Sequence, residues 1–189
     1  MWIFLSAVVA AQQSWLPPEA EDGAARQLAT RVAEIGVGRT DETRLTAARQ
    51  LVGRVRERLE LWGEEAVDHA PRLAELDVPE SGRPPLDAMA RYQICNMALM
   101  IQLQDPDFAD DEDAKISSVT GLTAFTLALM YLRHPFLETG GNDGEIEAFL
   151  TSESMGSVLE AIQTEPEART HVEAECTPPL EALVEPPEQ

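Results

Sequence analysis

The sequence predicts an all-α protein, an irregular orthogonal or antiparallel helical bundle of about six or seven helices around a central apolar helix pair. Three observations carry that prediction. Apolar residues recur at helical spacing along most of the chain. Alternating strand-type runs, and Asn-Gly or Asp-Gly turns flanked by strands, are absent. Two stretches, residues 92–103 and 116–132, carry no charge at all, which suits the middle of a protein or a bilayer. With 189 residues, 44% of them hydrophobic, the chain is long enough to bury one core.

The chain opens on the uncharged apolar run Trp2 to Ala11, followed at once by Gln12-Gln13-Ser14. Val9 and Ala11, or Val8 and Ala10, suit the small-residue positions of a leader-peptidase site, so residues 1–11 read as a signal peptide. The run lacks a basic n-region and is short for a leader, as it would be if the true start lay upstream. Residues 12–23 then read as an extended acidic leader, with Pro17-Pro18 blocking helix. A single helical domain is expected over residues 24–176, and a mobile, proline-flanked acidic tail over 177–189.

Inside the domain each helix has its own signal. Over residues 24–35, Leu28, Val32 and Ile35 share a face, and Gly36 and Gly38 stop the helix. The next has the clearest pattern. Asp41 is placed to cap it, Leu45, Ala48, Val52, Val55, Leu59 and Trp62 form a seam at spacings of three and four, and Gly63 ends it. Its arginines are interleaved with acids and read as a solvated face. A weaker helix over residues 64–76 is interrupted by Pro71, and a proline-rich joint over residues 78–85 follows.

The central pair comes next. In the first member Ala90, Ile94, Met97 and Ile101 make one face and Ala88, Tyr92, Cys95 and Leu99 another. In the second, Leu122, Phe125, Leu129 and Leu132 make a bulky stripe beside a small one of Gly121, Ala124 and Ala128, which allows close approach. The 17 uncharged residues of the second helix stand at the lower edge of the membrane-spanning range of roughly 17–25. Five hydroxyl residues dilute them, so packing in water is expected and stable membrane insertion is not. Shorter helices are expected over residues 145–150, 154–163 and 165–175, the last with a capping box of Thr164 and Glu167.

Charge bears on partners. The net charge is −20, and it is one-sided. Residues 1–91 hold 15 acids against 11 arginines, a balance of −4, whereas residues 92–189 hold 19 acids against Lys115, Arg133 and Arg169, a balance of −16. Such a field repels phosphate backbones and anionic headgroups, so nucleic acid is not expected as a partner and a basic protein is.

Four constellations bear on chemistry. Cys95 and Cys176 are the only cysteines, and an even count in an exported chain points to a disulfide; the alternative is a buried free thiol at Cys95. Asp105, Asp107, Asp110, Asp111, Glu112 and Asp113 offer carboxylates to calcium, which takes about 6–8 oxygen ligands. The loop lacks the glycine turn and distal glutamate of an EF-hand, so a solvated loop without cofactor is the expectation. Asp143-Gly144-Glu145-Ile146 resembles the centre of an EF-hand loop over those four residues alone, and Thr139 and Leu150 stand where that pattern needs acids. Glu65 with His69, and Glu167 with His171, lie four apart and read as surface pairs.

No phosphate-binding glycine loop, nucleophile elbow or Ser–His–Asp order is present. A non-enzymatic binding protein of the periplasm or cell exterior is therefore expected. The competing expectation is an enzyme or small-ligand carrier with a pocket between the central helices, near Tyr92, Gln93, Asn96 and His134.

Overall fold

A computed structural model of the chain describes residues 15–36, 41–106 and 110–185. The expected signal peptide, residues 12–14 of the leader, Gly38, Asp107 and residues 186–189 of the tail lie outside the described residues. Within the described residues the chain is an all-α helical bundle, with seven α-helices and no strands.

Helix α1 (Pro18–Ile35) starts six residues before the predicted helix, which corrects the reading of residues 18–23 as extended. Pro17 is the extended residue ahead of the helix and Pro18 opens its first turn. The first helical N–H has no partner in any helix, so proline there starts a helix as well as it breaks one further along. Helix α2 (Glu42–Trp62) follows the sequence closely. The Asp41 carboxylate accepts a hydrogen bond from the Arg44 N–H at 2.8 Å, and Ala48, Val52, Val55 and Leu59 are buried along the seam. Gly63 closes it with φ +54°, a left-handed conformation that glycine adopts without a Cβ clash. Asp41→Ala is expected to lower the unfolding free energy by about 1 kcal/mol, read as a lower urea midpoint at unchanged slope.

The helix predicted over residues 64–76 is not there. A single 3-10 turn, Gly63–Val67, leads into irregular chain. Leu73 has φ 51° yet is 1% exposed, and its N–H donates to Glu175 Oε2 at 3.1 Å. Burial and one carboxylate hold this loop where helical hydrogen bonding does not.

Helices α3 (Pro84–Gln104) and α4 (Glu112–Glu138) fold back on each other and share the largest interface of the molecule. Tyr92 and Phe125, both fully buried, meet there with ring centroids 5.5 Å apart. A Cβ on Gly121 would stand 2.7 Å from Leu99 Cδ1 and 3.0 Å from Leu180 Cδ2, so the small stripe sets the distance to two neighbouring helices. By length and composition α4 could cross a membrane, but half of its most apolar window is buried in the bundle.

Helix α5 (Asp143–Leu150) has no fully buried residue; Ile146, Phe149 and Leu150 pack against the edge of the core, and ion pairs hold its first turn. Arg133 donates to both Asp143 oxygens at 2.8 Å, and Arg83, stacked 4.1 Å over the Phe136 ring, donates to Glu145 at 2.8 Å. Helix α6 (Glu153–Thr164) buries Met155, Val158 and Ile162.

Helix α7 (Pro166–Val184) corrects two predictions. Glu165 stands at its N-terminus and makes no side-chain cap, while the Thr164 hydroxyl donates backwards to Glu160 O at 2.8 Å, so no capping box forms. The helix also runs through Pro178 and Pro179 to Val184, where a mobile tail was expected. Two interior prolines remove two ladder hydrogen bonds. The turn persists because Leu183 beyond them is fully buried and Leu180 lies against Gly121.

Candidate functional site

The Cys95–Cys176 pair joins α3 to α7. Cys95 lies mid-helix on α3, fully buried, and Cys176 on α7 is 5% exposed. Their Cα atoms are 5.8 Å apart and the two sulfurs form a disulfide, 81 residues apart in sequence. That separation is in the ordinary range for a bridge. The staple fixes α7 against the central pair one turn before its prolines.

Above the bridge, α3, α4 and α7 leave a cleft of about 370 Å³. Ala98, Leu99, Phe125 and Leu180 make its apolar part, and Glu173 and Glu181 stand at α7's side. On the opposite wall Ser118 donates to Gln102 Oε1 at 2.9 Å. Burial pushes the Glu173 carboxyl above its ordinary value; Arg169 opposes this and Asp105 adds to it.

Charge is distributed unevenly over the surface. Between α1 and α2, arginines meet acids: Arg26 and Arg49 bind Asp22 at 2.6 and 3.0 Å, and Arg56 binds Glu21 at 3.0 Å. The two guanidiniums, Arg26 first, hold the Asp22 carboxyl below its usual value. On α5, α6 and α7 the exposed Glu147, Glu153, Glu160, Glu165 and Glu167 have no cationic partner among the described residues. Arg169, the one arginine of α7, is turned to Asp105 at 3.5 Å and to the carbonyls of Ile162 and Gln163.

Of the residues singled out in the sequence for calcium, Asp111 and Asp105 have partners within the bundle. Asp111 caps α4, accepting from the Ala114 N–H at 2.9 Å. Asp105 pairs with Arg169, while Asp110 and Asp113 are exposed. Among the described residues no group of three or more His, Cys, Asp or Glu side chains is arranged to hold a metal. Asp143, at the centre of the EF-hand-like tetrapeptide, is engaged by Arg133, which holds its carboxyl below the usual value.

The histidines also differ from the predicted pairs. His69 stacks on Trp62 with centroids 4.1 Å apart, not on Glu65. His171 lies between Glu75 at 3.7 Å and Glu175 at 3.9 Å, not beside Glu167. A partner across the loop is invisible to helical spacing.

The four pocket candidates are placed separately. Tyr92 packs on Phe125 and its hydroxyl points to His69 O at 3.5 Å. Asn96 is 7% exposed with Oδ1 unpartnered among the described residues, and Gln93 is only half-buried. His134 sits nine residues beyond Phe125 on α4, on the order of 13 Å further along the helix, paired with Glu138 at 3.5 Å. The cleft at the disulfide involves none of them. Sequence reasoning missed it because α7 was expected to stop before Leu180 and Val184, which close its side.

No protein-family model, no curated protein and no solved structure matches this chain.

Proposed function

We propose that the protein is an exported, non-enzymatic binding protein of the periplasm or cell exterior, whose acidic second half engages a basic protein partner. The observation that carries the proposal is the contrast between the two halves. Arginines pair with Glu21 and Asp22 of α1, whereas Glu147, Glu153, Glu160, Glu165 and Glu167 stand exposed without a cationic partner among the described residues. A surface of one sign steers and selects a partner of the other. The cysteine pair at bonding distance supports an oxidising compartment, and the apolar run before Gln12 supports export.

The test is capture from a periplasmic or culture-fluid extract on immobilised oxidised protein. A basic partner is expected to be retained at low salt and released as ionic strength rises toward about 0.5 M, where screening shortens the reach of charge to a few ångströms. A variant carrying glutamine at Glu147, Glu153, Glu160, Glu165 and Glu167 is expected to lose the capture. Retention that ignores both salt and these substitutions would refute the proposal.

A further inference from the structure

The cleft over the disulfide does not follow from surface charge, and it is built from a different set of atoms. Its accessible apolar walls are Leu99 from α3 and Leu180 and Val184 from α7, beside the Cys95–Cys176 bridge, with Ala98 and Phe125 buried behind them. The space of about 370 Å³ falls within the range of small-molecule sites, which runs from roughly 300 to 1,000 Å³. Apolar surface of this kind takes an alkyl or aryl body.

The polar groups around it have one dominant sign. Glu173 and Glu181 lie two turns apart on α7 and both border the cleft. On the opposite wall Ser118 donates to Gln102, and both are neutral. Among the described residues no cationic side chain lines the space. Glu181 has no ion pair among the described residues, and the guanidinium nearest to Glu173, that of Arg169, is bound to Asp105 and two carbonyls. The bridge holds α7, and with it both carboxylates, against the apolar wall of α3.

The geometry points to a binding site for a small amphiphilic organic cation, a primary or quaternary amine on a short apolar body. The body would lie on Leu99, Leu180 and Val184, and the ammonium would be held by the carboxylate of Glu173 or of Glu181. A neutral molecule with the same body would gain the burial without the charge pairing, and a carboxylate would be repelled. The ligand is a small molecule and its site is distinct from the exposed glutamates of α6, so the inference stands whether or not a basic protein binds.

The test is calorimetric titration of the oxidised full chain with octylammonium, octanol and octanoate. Octylammonium is expected to bind saturably at one site, with octanol and octanoate about tenfold weaker or worse. The paired change Glu173→Gln and Glu181→Gln is expected to weaken octylammonium about tenfold, while Glu153→Gln with Glu160→Gln on α6 leaves it unchanged. Both pairs are surface or half-buried isosteres, and circular dichroism checks that each stays folded. Absence of saturable binding, equal binding of octanoate, or an equal loss in the α6 pair overturns the inference, the last because it would mean only diffuse attraction to a polyanion.

Discussion

Removing the Cys95–Cys176 bridge, by reduction or by Cys95→Ala with Cys176→Ala, is expected to lower the unfolding free energy by about 4–5 kcal/mol. The bridge spans 81 residues, so in the chain-entropy picture its absence releases a large closed loop in the unfolded state. It also joins the fully buried middle of α3 to a helix with two interior prolines. That helix keeps its last turns through tertiary contact, so its loss of anchorage adds to the entropic effect. Urea unfolding with and without reductant measures this: the midpoint should fall, and the slope should rise because the unlinked chain exposes more surface. Unreduced protein treated with an alkylating agent under denaturing conditions should take no label at either cysteine. An unchanged midpoint on reduction would show that the pair does not constrain the fold.

The second large effect is expected at the centre. Phe125→Ala should cost about 3–5 kcal/mol, because the ring is 0% exposed and is packed against Tyr92 between two helices whose approach is set by Gly121. Leu61→Ala, at a side chain that is 72% exposed on α2, is the control and should shift stability by less than about 0.5 kcal/mol. Equal effects at the two positions would mean that the pairing of α3 with α4 is not the core.

Much of the fold was legible because periodicity and burial agree. The seam from Ala48 to Leu59 is buried, Asp41 caps and Gly63 stops α2, and the two uncharged stretches form the central hairpin. Proline caused the failures. Pro17-Pro18 and Pro178-Pro179 were each read as helix breakers, yet one pair starts α1 and the other lies within α7. Local chemistry gives the cost of a proline, but whether that cost is met depends on what the following residues bury. Here those are Ala25 and Leu28 after the first pair and Leu183 after the second.

The site was less legible for the same reason. The cysteine pairing followed from an even count and the expectation of export. The cleft beside it needs Leu180 from a segment read as tail, and Glu75 reaches His171 from a loop that no helical spacing connects to α7. In the acidic loop, where a solvated loop was expected over a calcium site, Asp111 meets the backbone need of a helix start. Carboxylates at a helix N-terminus satisfy orphan N–H groups as readily as they bind a cation.

Everything rests on α3 and α4 packing together in water beneath a carboxylate-rich exterior. Native-state hydrogen exchange in detergent-free buffer tests that directly. The slowest amides should be those of Ile94 to Ala98 and of Leu122 to Leu132, opening only with global unfolding. Fast exchange through these segments, or protection that develops only when micelles are added, would contradict the account.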